Sequence, residues 1–331
     1  MHLITDMVFV SVASMTSRPL PARRVSAAIA TVVAAAGLTA CATTPSAGTD
    51  ASGTIRVVAA ENFWGSLAAQ LGGDHVRVSN IITNPQTDPH DYEPSAPDAV
   101  ALSGAQFAIV NGVGYDAWAS KILSADENSR QTVLTVGDLI GVPSGGNPHR
   151  WYSPTDVRKV IDQITADYTK IDPADASYYR TQHDAVLKTN LHEYFALVDE
   201  IKSKYAGTPV GASESIFAPL AEATGLDLIT PESFLDATSE GGEPTAADKA
   251  TIDEQIAQKK IKVYVYNSQN ATPDVQRQVE AAKAHGIPVT TITETLTPAG
   301  ATFQRWQVAE LDALRDALAI GSATADAGTG K

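Results

Sequence analysis

The chain has 331 residues, enough for two compact domains, and 44% of them are apolar, so it can bury substantial cores. A formal net charge of −14 speaks against nucleic acid as a partner, which requires a basic surface. Cys41 is the only cysteine, so no intramolecular disulfide can form.

Arg18, Arg23 and Arg24 precede an apolar Ala/Val stretch from Val25 to Ala40, which ends in Leu38-Thr-Ala-Cys41. A basic segment, a short apolar run and small residues at a cleavage point have the layout of a secretory signal over residues 1–40. The terminal Leu-Thr-Ala-Cys is similar to a bacterial lipobox. That similarity makes Cys41 a lipidated first residue that anchors the chain to the outer face of a membrane. The apolar stretch is too short and interrupted to compete with the helix of about 20 residues that spans a bilayer. Residues 41–53, rich in Ala, Thr, Ser, Pro and Gly, read as a flexible tether.

Strand-like and helical runs then alternate. Ile55–Ala60, Val76–Ile82, Phe107–Val110 and Thr132–Val136 are short, apolar or β-branched, and bounded by Gly, Pro or Asn. Helical stretches lie at 63–72, 95–104 and 115–124. This alternation predicts βαβ units and a mostly parallel sheet, with any ligand beyond the carboxyl ends of the strands. Two turn-rich segments fall at such ends. Thr87-Asp-Pro-His-Asp-Tyr-Glu-Pro94 follows Val76–Ile82, and Asn147-Pro-His-Arg-Trp151 follows Thr132–Val136. In each, a histidine comes directly after a proline. Imidazole is the commonest protein ligand for divalent transition metals, and the preceding proline presents the ring from a stiff support. His90 and His149 are therefore candidates for half of a metal site.

In the middle of the chain, after Asp172-Pro173, apolar residues recur at Leu187, Leu191, Tyr194, Val198, Ile201 and Tyr205. The alternating spacing of four and three predicts one helical face. A helix over 174–205 is about 48 Å long at the α-helical rise, long enough to connect two lobes. A second alternating half follows, with strands at Pro209–Ala212, Asp227–Ile229, Ile261–Tyr266 and Pro288–Ile292 and helical runs at 215–224, 246–259 and 273–285. Thr302–Ala319, carrying Trp306, Leu311, Leu314 and Leu318, forms a closing helix. The Gly/Ala/Thr tail over 321–331 is expected to be disordered. The resulting division is an α/β lobe over 54–171, a connecting helix over 172–206 and a second α/β lobe over 207–320.

The segments Ile55-Arg-Val-Val-Ala-Ala60, Leu71-Gly-Gly-Asp-His-Val-Arg-Val78, Asp88-Pro-His-Asp-Tyr-Glu-Pro-Ser95, Phe107-Ala-Ile-Val-Asn-Gly-Val-Gly-Tyr115, His149-Arg-Trp151 and Thr224-Gly-Leu226 carry a wider resemblance. In order and spacing, over roughly 55–318, the chain resembles the zinc and manganese receptors of ABC importers, which are solute-binding lipoproteins. The resemblance implies two Rossmann-like lobes with mostly parallel sheets joined by one long, rigid helix. It also implies a monomer outside the cell membrane, held there by lipid on Cys41, with an ABC permease and its ATPase as partners.

The resemblance further implies two ligands from the second lobe. The position after its first strand, often histidine in the family, falls on Glu214 within Gly211-Ala-Ser-Glu-Ser-Ile-Phe217, matching the glutamate form of manganese-type members. The fourth position is usually aspartate, but no aspartate occurs between Ile287 and Thr302. Glu294 is the carboxylate at the matching place. Two imidazoles and two carboxylates neutralise a divalent cation, and oxygen ligands lean the expectation toward Mn²⁺ over Zn²⁺ without settling it. The metal is cargo, and no catalytic residues are implied. Rival readings are a metal-dependent hydrolase, for which no base motif is found, and a binding protein for chelated iron, which requires a basic or aromatic cleft.

Overall fold

A computed structural model describes residues 53–87, 89–125 and 130–328, so the secretory signal, Cys41 and most of the tether lie outside the described residues. In the first lobe, β1 (Ile55–Glu61) is buried at every position but Arg56, as a strand covered on both faces must be. α1 (Asn62–Gly72) returns the chain to β2 (Val76–Ile82), whose solvent-facing positions alternate as befits an edge. α2 (Ala96–Ser103) starts on a capping box between Ser95 and Asp98. β3 (Phe107–Val110), α3 (Ala117–Ala125), β4 (Thr132–Thr135) and the short α4 (Val136–Ile140) follow. The four strands are parallel in the order β2-β1-β3-β4.

The second lobe repeats this plan. β5 (Pro209–Ala212), which follows the connecting helices, is flanked by β6 (Asp227–Leu228) and β7 (Tyr264–Asn267), with β8 (Val289–Ile292) outside β7. The parallel order is β6-β5-β7-β8. Both lobes thus direct their strand ends, and the loops after them, toward one cleft.

Two helical stretches join the lobes. α5 (Pro154–Ile171), absent from the sequence reading, begins at Ser153 with the proline in its first turn. It buries Val157, Val160, Ile161, Ile164 and Tyr168 completely, and the Tyr168 hydroxyl donates to the Ala68 carbonyl of α1 (3.0 Å). Each such side chain removed from water contributes about 1.5–3 kcal/mol.

The stretch expected as one helix over 174–205 is α6 (Ala176–Ala185), a five-residue π-helical segment (Val186–Asn190) and α7 (His192–Tyr205). The buried residues explain the break. They run Tyr179, Val186, Leu191, Tyr194, Val198 and Ile201, with a step of five between Val186 and Leu191. The Leu191 amide closes that wide turn on the Val186 carbonyl at 2.9 Å.

The second lobe is completed by α8 (Ala218–Thr224), α9 (Glu232–Ser239), α10 (Ala246–Ala257), α11 (Pro273–Ala284) and α12 (Phe303–Gly328). α12 runs to Gly328, and Gly321 lies so close to the Lys262 carbonyl that a Cβ would collide with it. No helix among the described residues is long and apolar enough to cross a membrane.

The largest core cluster is continuous from β1 and α1 through α5, α7 and β5 into α12. It includes the fully buried Trp64, Trp151 and Tyr194, together with Trp306. The lobes share this core, and relative rotation would have to break it.

Candidate metal centre

His90 lies in a single 3-10 turn (Pro89–Asp91) after β2, and His149 immediately precedes another (Arg150–Tyr152) after β4. The two rings converge to a centroid separation of 5.6 Å. Glu294 comes from the loop after β8. One ligand atom from each of His90, His149 and Glu294 lies within 4.8 Å of the others. His149 is 0% and Glu294 2% exposed, with His149 Nε2 3.6 Å from Glu294 Oε1.

Glu214, after β5, stands outside that trio. It is 1% exposed and joined to Glu294 through one amide, since Asn267 Nδ2 donates to Glu214 Oε2 (2.9 Å) and to Glu294 Oε1 (3.0 Å). Strand order explains the bridge. β7 runs between β5 and β8, so the residue at its end stands between the two carboxylates.

Each histidine support is itself held. The Asn147 side chain donates through Nδ2 to the Ser215 carbonyl (2.7 Å), which fixes its Oδ1 as an acceptor. That oxygen receives the His149 backbone amide (3.0 Å) and faces His149 Nδ1 (2.9 Å). Nδ1 must therefore carry the proton, leaving the Nε2 lone pair directed at Glu294, the tautomer a metal ligand requires. Pro148 is held by Asn111, whose Nδ2 donates to its carbonyl (3.0 Å) while Oδ1 accepts from Trp64 Nε1 (3.0 Å).

After β3 the backbone makes an unusual turn, with Val113 at φ 60° between Gly112 and Gly114, both also at positive φ. A β-branched residue there is strained. The Asp116 carboxylate holds the turn by accepting from the amides of Asn111 (2.6 Å) and Gly112 (2.8 Å). The turn delivers Tyr115, whose hydroxyl donates to Glu294 Oε2 across the cleft at 2.9 Å.

Burial by itself would raise the Glu294 carboxyl. The charge of the facing His149 and His90 imidazoles when protonated, and the Tyr115 hydroxyl, overcome that and hold it below the usual carboxylate range. Glu61, fully buried at the end of β1, goes the other way: burial and then the adjacent Asp116 push its carboxyl well up. A further tie crosses the cleft above the site. Gln269 Nε2 donates to the Pro85 carbonyl on the histidine side and to Thr295 Oγ1 (2.8 Å) on its own side.

Tyr115, Asn147 and Asn267 were not singled out by sequence. Asn147 stands in a segment that was, two residues before His149, and an amide at that offset was its available signal.

His75, Asp172 and Asp175 also bring one ligand atom each within 4.8 Å of the others, all half-buried. His75 Nδ1 meets Asp175 at 2.8 Å and the Tyr179 hydroxyl donates to Asp172 (3.1 Å). These contacts tie the turn before β2 to the start of the connecting helices, at the opposite end of the strands from the cleft.

Comparison with known proteins places these features in a wider set. A sequence profile for the zinc-uptake complex component A, periplasmic, matches residues 57–317. The zinc-binding lipoprotein AdcA of Streptococcus pneumoniae is 24% identical over 277 residues, which cover 74% of this chain and 52% of AdcA. The chain thus spans about half the length of that relative. The manganese-binding lipoprotein MntA of Bacillus subtilis is 25% identical over 278 residues, 79% of this chain and 86% of MntA. Among solved structures, a mutant, manganese-bound periplasmic metal-binding protein from Candidatus Liberibacter asiaticus superposes with a TM-score of 0.68. It is 19% identical and covers 80% of this chain and 100% of its own.

Proposed function

The chain belongs to the zinc-uptake complex component A periplasmic family, and from that membership and the geometry of the cleft we propose that it captures one divalent transition-metal ion between its lobes. It then delivers the ion to a membrane permease driven by an ATPase. The observation that carries this reading is the convergence of His90, His149 and Glu294 on one buried point from opposite lobes. Glu214 supplies the fourth ligand, already held beside Glu294 by Asn267. Lipid on Cys41 keeps the monomeric receptor at the outer face of the membrane. The continuous core through the connecting helices restricts loading to small movements of the ligand loops.

Two imidazoles and two carboxylates hold a dication without net charge, and their oxygen share suits Mn²⁺ better than a three-imidazole set would. We take Mn²⁺ as the favoured cargo, with Zn²⁺ as the competitor that the general affinity order puts ahead at most nitrogen/oxygen sites. Binding needs neutral imidazoles and ionised carboxylates, so affinity falls on acidification. The carboxylate-rich cleft favours a bare cation over an anionic iron chelate.

The test is metal competition. The soluble protein from residue 54 onward is stripped, offered equal Mn²⁺, Zn²⁺ and Fe²⁺, and its bound metal counted by mass spectrometry. One equivalent of Mn²⁺ retained is the expected result. Zn²⁺ alone would move the assignment to zinc, and no metal retained would remove the proposed function altogether.

A further inference from the structure

A cavity of about 450 Å³ opens beside the metal centre and has His90, Tyr115 and Asn147 on its inner side. Its outer wall is α9 and the residue that ends it, so that Glu232, Asp236 and Glu240 line the same cavity. The spacing of four residues puts Glu232 and Asp236 on one face of α9, Glu240 follows at its C-terminal cap, and all three are exposed. Among the described residues no lysine or arginine lines the cavity. The wall across from α9 is the small-residue loop through Gly145 and Gly146, which leaves the passage open.

Electrostatically the wall and the ligands form one system. Partial burial, then Glu232 and Glu240, push the Asp236 carboxyl up, while His149 pulls it the other way. Behind the His90 edge of the cavity lies His149, fully buried, with no hydrogen-bond partner at Nε2. A cation following the cavity inward therefore meets three carboxylates before it meets the imidazoles.

Resting on the metal-receptor reading above, we propose that the Glu232–Asp236–Glu240 face is the capture mouth of the cleft. It raises the rate at which divalent cations reach His90 and His149 without supplying a ligand of its own. A cleft lined by one sign of charge concentrates counter-ions and speeds association by about 10- to 1000-fold, an effect that salt screens. The carboxylates therefore act on the association rate, and the buried ligands alone set the dissociation rate.

The test compares the full soluble chain with its E232Q/D236N/E240Q variant. The three positions are exposed and the replacements isosteric, so the fold is retained. Free Mn²⁺ or Zn²⁺ is mixed with each protein in a stopped-flow instrument, its disappearance followed with a fast fluorescent indicator, at several ionic strengths and fixed pH. The expected result is an association rate about tenfold lower in the variant at low salt, a flattened salt dependence and an unchanged dissociation rate.

An E280Q/D316N control, which removes two exposed charges elsewhere, should leave all three quantities as they were. Equal association rates and salt slopes in wild type and variant would overturn the capture mouth while leaving the receptor intact. A faster dissociation rate in the variant would also overturn it, since the carboxylates would then be ligands. If the wild type takes up no metal, the function itself fails and this inference with it.

Discussion

In the first lobe the two imidazoles stand on turns that the backbone dictates. Each follows a proline, and His149 has its proton assigned by Asn147. In the second lobe the carboxylates stand on ordinary loops and owe their placement to a neighbour, Asn267, which grips both at once. The first half is thus preorganised by local chain geometry and the second by tertiary adjacency. Neutral imidazoles can be held near each other without penalty. Two buried carboxylates cannot, and need a shared donor.

Single substitutions can break this contrast. His149→Ala removes a proposed ligand and should weaken metal binding by on the order of 100-fold or more, read by competition with a metal indicator. Asn267→Ala should act in two directions. Metal affinity falls by about 10- to 100-fold, as for other residues that orient ligands. The metal-free protein also loses about 1–3 kcal/mol, because two buried carboxylates lose their common donor. Thermal melts with and without metal separate these effects, and an unchanged metal-free melting temperature would refute the role given to Asn267.

A finer cut falls on Asn147. Asn147→Ala should reduce affinity about tenfold through the wrong His149 tautomer, whereas Asn147→Asp keeps the acceptor and should retain most of it. Equal losses in both variants would show that the contact to Ser215, not the tautomer, is what matters.

A pH-dependent effect on stability lies outside the cleft, where Tyr152 of the first lobe meets Glu310 of α12. Burial pushes the Glu310 carboxyl up to about 8, against about 4.3 in an unfolded chain. A carboxyl raised in the folded state stabilises the protein most below the unfolded value, and the benefit is lost as pH rises toward 8. The hydrogen bonds fit a neutral group. The Tyr152 hydroxyl donates to the Thr293 carbonyl (2.8 Å), so its oxygen can accept from protonated Glu310 Oε2 at 2.6 Å. Oε1 accepts from Thr293 Oγ1 and Trp306 Nε1. Glu310→Gln reproduces that pattern at every pH. Between pH 5 and 8 the wild type should lose stability relative to the variant, by up to about 1.4 kcal/mol per pH unit, measured by denaturant unfolding. Parallel stability curves would refute a neutral Glu310.

The same contrast explains what could be read from the sequence. Period and punctuation made all eight strands legible to within a few residues, and proline-supported turns marked His90 and His149. Glu214 and Glu294 were reachable only by their place in a family pattern, since nothing local distinguishes a buried glutamate from an exposed one. Asn267 was illegible for a deeper reason. Its role exists only because β7 lies between β5 and β8, a strand order no local pattern encodes. α5 is a different kind of omission, because Ser153-Pro154 and the run Val157, Val160, Ile161, Ile164, Tyr168 signal a helix openly. α9, with eight residues and mixed polarity, gave no such signal.

The wide turn at Val186–Asn190 fixes the phase between the lobes. A π turn holds one residue more than the α-helical path, so tightening it to a regular α-helix with that residue retained would rotate all that follows by about 100°. Tyr194, Val198 and Ile201 would swing off the second lobe, and the strand ends that carry Glu214 and Glu294 would no longer face the histidines. The extra residue works as a keyway: the chain length of one helical turn, far from any ligand, sets the angle at which two halves of a binding site meet.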